Sequence, residues 1–169
     1  MVALGYAHLD RGDLDAAEGC VWKVGATLAG LDLEPHAALG ARVLLAQVQR
    51  RRGHLDEALA ELDGALAASQ DSPGLLFPKR QALAHRAGTL LALGRVADAL
   101  DAARASVACP GEDVRSQVLA LRALGACLRA TGDEGGAVAA LSRALGVARS
   151  TGQRSEVAAS ERALAGIHP

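Results

Sequence analysis

The stretch LAQVQRRRGHLDEA, residues 45–58, decides how the rest of the chain is read. Ahead of its glycine, Ala41, Leu44, Leu45 and Val48 fall at i, i+3, i+4 and i+7, the spacing of one helical face. Beyond it, Leu55, Ala58, Leu59, Leu62 and Leu66 form a second stripe of the same kind. Gly53 between them can take the left-handed conformation that closes a helix, because it carries no Cβ. Asp56 and Glu57 then put negative charge where a new helix begins and its dipole favours anions. The stretch reads as the corner of a helical hairpin.

The corner recurs at Gly12, Gly53, Gly94 and Gly132, spaced by 41, 41 and 38 residues. Five residues after each glycine stands alanine: Ala17, Ala58, Ala99 and Ala137. Seven before each stands a small residue: Gly5, Ala46, Ala87 and Gly125. Large apolar residues keep phase less strictly. Arg86 replaces the leucine of Leu4, Leu45 and Leu124, and Glu134 replaces the apolar residue of Leu14, Leu55 and Val96. Small residues in fixed columns let two helix axes approach closely. Each hairpin has an incomplete core that a stacked neighbour completes. The expected hairpins cover 2–31, 36–70, 76–109 and 113–151 of a single 1–169 domain, with a cap helix over 154–167. Pro35 suits the first position of a helix. The segment 69–78, SQDSPGLLFP, reads as the longest break.

Composition agrees with close-packed helices. Half of the 169 residues are apolar, yet there is one Trp, one Tyr and one Phe, so Ala, Leu and Val carry the core. Cys20, Cys109 and Cys127 make no CxxC pair and read as buried thiols of a reducing, cytoplasmic compartment. No apolar run is long enough to span a membrane. The scarcity of Lys, Ile and Asn fits a GC-rich coding sequence and a bacterial source.

These residues resemble the tetratricopeptide repeat, whose signature is a small residue in the first helix, Gly at the turn and Ala in the second helix. LGYAHLDRGDLDAA (4–17), LAQVQRRRGHLDEA (45–58), RAGTLLALGRVADA (86–99) and LGACLRATGDEGGA (124–137) carry it. The period is longer than the ordinary repeat of about 34 residues. It is closer to the variant found in kinesin light chains and in bacterial signalling proteins and transcriptional regulators. The Trp usual near the start of a unit is absent, and the aromatic near the turn is replaced by His8, Gln49, Leu90 and Leu128. The resemblance implies an all-α fold, a right-handed superhelical solenoid of four helix-turn-helix hairpins plus the cap helix. Only eleven residues precede Gly12, fewer than the other first helices have, so the chain is expected to be part of a longer protein.

Catalysis finds little support in the sequence. His8, His36, His54, His85 and His168 are scattered, with no HExxH pair. Beside His54, Asp56 lies at i+2 and points away on a helix, so His54, Asp56 and Glu57 read as helix-start residues. No phosphate-cradling glycine loop is present, and neither a cofactor nor a metal is expected. A net charge of −1 disfavours nucleic acid as partner. Arg52 is assigned to the turn, and Trp22 to packing between helices.

The resemblance implies a concave groove lined by first helices, at positions about ten, six, three and two residues before each turn glycine. The resulting candidates are Tyr6, Leu9, Asp10, Val43, Gln47, Arg50, Arg51, Gly88, Leu91, Arg122 and Arg129, with Val2, Ala84, Ala92, Ala126 and Ala130 beside them. Arginine holds carboxylates bidentately, so the groove would suit an acidic or C-terminal-carboxylate segment of a protein or peptide partner. The alternative roles are self-association into a homo-oligomer, and sensing of a small molecule or peptide within a larger bacterial regulator.

Overall fold

The computed structural model describes residues 1–28, 35–69, 76–111 and 113–166. Among them every regular element is a helix. In order they are α1 (Val2–Asp10), α2 (Leu14–Leu28), α3 (Pro35–Arg52), α4 (Leu55–Ala68), α5 (Leu76–Ala92), α6 (Val96–Ala108), α7 (Val114–Ala130), α8 (Glu134–Ser150) and α9 (Arg154–Ala165). They belong to two compact units, Met1–Pro78 and Lys79–Pro169. In the first, α1 pairs with α2, α3 packs on both, and α4 pairs with α3. In the second, α7 packs between α6 and α8, and α9 lies on α8 and α7. The Ser106 hydroxyl of α6 donates to the Arg80 carbonyl of α5 at 2.9 Å.

The four turn glycines all adopt positive φ, between 75° and 87°. In each case the amide after the glycine donates to a carbonyl five residues back: Asp13 to His8, His54 to Gln49, Arg95 to Leu90, Asp133 to Leu128, at 2.9–3.0 Å. This closure satisfies carbonyls that a helix end would otherwise leave unpaired. Gly152 repeats it, with φ 68° and the Gln153 amide on the Ala148 carbonyl at 3.0 Å. The α8–α9 turn is thus built like the turn inside a hairpin. Accordingly α9 contacts α7 as α3 contacts α1.

Packing explains the small-residue columns. Ala17, Ala58, Ala99 and Ala137 are each fully buried, and so are Ala46 and Ala87. A Cβ added at Gly125 would lie 2.6 Å from Leu141 Cγ, and one at Gly5 would collide with Leu44 Cδ2. At Gly125 the first and second helices of one hairpin, α7 and α8, approach too closely for anything larger, and at Gly5 it is Leu44 of the next first helix, α3, that fills the space. The second helices open in two ways. Asp13 and Asp133 cap them, accepting from the amides of Ala16 at 3.1 Å and Gly136 at 2.8 Å. His54 and Arg95 occupy the same column without capping and instead pair with acids one turn on. The distances are 3.0 Å from His54 Nδ1 to Glu57 Oε2 and 2.6 Å from Arg95 Nη2 to Asp98 Oδ2.

Two expectations are corrected. Trp22 does not pack between helices; it is 67% exposed on α2. Arg52 is more than a turn residue. Its Nη1 donates to Glu18 Oε2 at 2.8 Å and its Nη2 to Asp15 Oδ1 at 2.5 Å, tying the end of α3 to α2. Hydrogen bonding to Glu18 raises the Arg52 pKa above the ordinary arginine value, with Asp15 adding to it. Residues 70–75 of the expected long break, and Ile167 of the cap helix, lie outside the described residues. The three cysteines are buried and none is in a disulfide among the described residues, and burial pushes the Cys127 thiol up.

Candidate functional site

The candidate surface in the first unit is carried by α1 and α3. The C-terminal half of α3 runs beside α1, so residues about 41 apart in sequence meet. Gln47 Nε2 donates to the Tyr6 hydroxyl at 3.4 Å. Arg51 Nη1 donates to the Leu9 carbonyl, one of the last of α1, where the helix dipole is negative. Arg50 stands next to it, exposed. Partial desolvation by the helices beside it, and then the like charge of Arg51, hold its pKa below the usual arginine value even though the side chain is exposed. Asp10 is exposed on the same helix end, and Val2 is half-buried. Among the described residues, neither Arg50 nor Arg51 has a carboxylate partner, whereas Arg52 has two.

Leu9 and Val43 do not contribute surface. Leu9 is 1% exposed and joins Ala17, Leu44 and Val48 in a core cluster, and Val43 is fully buried. For Leu9 the reason is the close packing of α1 on α3, which turns it onto Leu44 and Val48. A spacing rule counted from the glycine cannot see this burial.

In the second unit, α5 offers little relief: Ala84 is buried, Gly88 and Leu91 are half-buried and Ala92 is exposed. The α7 positions are occupied from within. Arg122 Nη1 meets Glu156 Oε2 of α9 at 3.0 Å, and Arg115 Nε meets Glu156 Oε1 at 3.5 Å. Arg129 Nη1 donates to the Gly166 carbonyl at 3.0 Å. Arg122, Arg129 and Arg162 line a cleft of about 190 Å³ together with Ala126, Leu141 and Ala163. Ala130 is exposed beyond it. Among the described residues no cluster of three metal-ligating side chains occurs, and no helix is long and apolar enough to cross a membrane.

The sequence reading missed Arg80. It is only 5% exposed, and its guanidinium is spent on the α6–α7 connection. Nε donates to the Cys109 carbonyl at 3.1 Å, Nη2 to the Gly111 carbonyl at 2.9 Å, and Nη1 to the Asp113 carbonyl at 3.3 Å. Nη2 also reaches the Cys109 carbonyl. No local pattern marks this arginine, because all its partners lie about thirty residues away. Glu156 and Arg162 went unnoticed for the same reason.

No family model matches the chain, and no curated protein matches it. Solved structures do. A Podosopora anserina protein assigned to the kinesin light chains, with nearly identical TPR-like repeats, aligns with a TM-score of 0.66 and 20% identity, over 99% of this chain and 82% of its own. MamA aligns with a TM-score of 0.54 and 18% identity, over 96% and 93%. A tetratricopeptide repeat protein from Parabacteroides merdae gives 0.54 and 21%, over 96% of this chain and 63% of its own. At such identities the likeness is one of fold, and it agrees with the glycine turns and alanine crossings described above. The chain has the all-helical fold of the tetratricopeptide-like repeat proteins.

Proposed function

We propose that this chain is a non-enzymatic binding module that takes an acidic segment of a protein or peptide partner on the α1–α3 face. The observation that carries the reading is the Arg50–Arg51 pair. Two like charges stand side by side with no carboxylate between them among the described residues, and a carboxylate laid there would relieve their repulsion. Gln47, Tyr6 and Asp10 surround them with donors and acceptors that can fix a peptide backbone. Support also comes from inside the molecule. Arg122, in the first helix of the fourth hairpin, already binds a carboxylate, that of Glu156. Tetratricopeptide-like arrays are interaction scaffolds as a class, in keeping with this role. Three buried cysteines, none in a disulfide among the described residues, favour a reducing compartment such as the cytoplasm.

Fluorescence anisotropy with labelled acidic peptides, carrying free or amidated C-termini, tests the proposal. Arg50→Ala is expected to weaken binding about tenfold, roughly 1.4 kcal/mol. Binding should also fall as salt is raised, because the contact is ionic and exposed. Affinity unchanged in Arg50→Ala, or no binding to any acidic peptide, would refute it.

A further inference from the structure

Arg122, Ala126 and Arg129 stand on α7 at i, i+4 and i+7, so one face of the helix carries two arginines with a small residue between them. Gly125 lies on the same face and is closed from below by Leu141 of α8, itself 3% exposed. α9 packs on α7 and adds Arg162 and Ala163 to the lining. The result is the cleft of about 190 Å³, with three arginines on its walls and no acid among the described residues that line it. In the first unit a side-chain bridge crosses the corresponding space. Counted from the turn glycines, α1 has Tyr6 and α3 has Gln47 where α7 has Ala126, and those two side chains meet at 3.4 Å. The fourth hairpin places only a methyl group there, and the space stays open.

The arginines of the cleft are incompletely matched within the chain. Arg129 donates from Nη1 to the Gly166 carbonyl at 3.0 Å, and Arg162 from Nε to the Ala158 carbonyl of its own helix at 3.3 Å. A guanidinium has five N–H donors, and neither of these two has a carboxylate partner among the described residues. Arg122 meets Glu156, a carboxylate it shares with Arg115, and its Nε is buried with no hydrogen-bond partner. Three positive charges on the cleft therefore face one shared negative charge, and two remain unmatched.

We propose that this cleft binds a small phosphomonoester, with the phosphate on Arg129 and Arg162 and a short apolar stem against Ala126, Ala163 and Leu141. Charge selects the head group. A phosphomonoester is close to a dianion at neutral pH, which matches the two unmet charges, and guanidinium forks hold its oxygens bidentately. A carboxylate would meet only one of them. Size selects a small molecule. At about 190 Å³ the cleft is smaller than the roughly 300–1,000 Å³ of pockets that enclose drug-sized ligands, so it takes the head group and a few carbons. The α1–α3 face carries none of these residues, so peptide binding there and phosphate binding here can fail independently.

Calorimetric titration of the full chain with propyl phosphate tests the proposal. Saturable binding at one site is expected. Arg162→Gln should weaken it about tenfold or more without lowering the thermal midpoint, because this arginine is exposed and its one hydrogen bond is to its own helix. Ala126→Gln should weaken it as much, by putting into the cleft the side chain that Gln47 puts into its counterpart. Dimethyl phosphate, a monoanion of similar size, should bind about tenfold more weakly than propyl phosphate. Arg50→Ala should leave the affinity unchanged. No saturable binding, or an affinity unaltered in both Arg162→Gln and Ala126→Gln, would overturn the proposal. So would dimethyl phosphate binding as tightly as propyl phosphate, or a phosphoserine peptide binding more tightly than either.

Discussion

Glu156 of α9 divides its two carboxylate oxygens between two arginines of α7, Oε2 at 3.0 Å from Arg122 and Oε1 at 3.5 Å from Arg115. The Glu156 side chain is 12% exposed, so this contact is screened less than the other ion pairs of the surface. It joins two helices that the sequence separates by a whole second helix, and it satisfies on α9 a charge that would otherwise face the cleft.

Replacing Glu156 with glutamine keeps its size and removes its charge. The second unit should lose roughly 1–2 kcal/mol, because charge-assisted bonds become neutral ones and Arg122 Nε is already buried without a partner. Urea unfolding would measure the loss. Amide exchange should quicken in α9 before it quickens in α7. An unaltered midpoint with unaltered α9 exchange would show that apolar packing alone holds the helix.

The alanine columns have a direct test. Ala58→Leu and Ala137→Leu each put three extra carbons where the residue is fully buried, and each should cost about 1–3 kcal/mol. Ala139→Leu lies two residues away on the exposed face of α8 and should change stability by no more than about 0.5 kcal/mol. Equal effects at Ala137 and Ala139 would contradict the register of the helices.

Arg80 makes its own case. Arg80→Ala removes the donors that satisfy the carbonyls of Cys109, Gly111 and Asp113, and should destabilise the chain by about 2–3 kcal/mol. Arg80→Lys should recover only a minor part, since an ammonium cannot reproduce the planar fork. Thermal melts of both variants decide the point; a fully stable lysine variant would mean that charge, and not geometry, is what the turn requires.

Two glycines with open space around them should respond in opposite senses. Gly53 sits at φ 87°, and Gly53→Ala should cost about 1–2 kcal/mol. Gly19 lies within α2, and Gly19→Ala should stabilise the helix by about 0.5–1 kcal/mol. The measurement is the unfolding midpoint of each variant. The same sign at both positions would be inconsistent with the backbone described.

Much of the fold is written locally. A turn glycine, an alanine five residues on and a small residue seven before are enough to place each corner, since each answers to a constraint within one hairpin: a left-handed cap or a close crossing. The helix stripes follow from periodicity for the same reason. The candidate surface is less legible. Arg50, Arg51, Arg122 and Arg129 look equivalent in the repeat, yet three of them are held by partners 34 to 42 residues away: the Leu9 carbonyl, Glu156 and the Gly166 carbonyl.

By itself the sequence determined the class of fold, the positions of the hairpin turns and the identity of the crossing residues. Those depend on backbone conformation and on side-chain size, which are properties of neighbouring residues. Tertiary packing alone decided which polar groups stay available. It sank Leu9 and Val43 into the core, committed Arg122 to Glu156, folded Arg80 around the α6–α7 connection and left Arg50 and Trp22 exposed. Whether a side chain has a partner depends on helices brought together across the chain, and no spacing within one repeat can encode that.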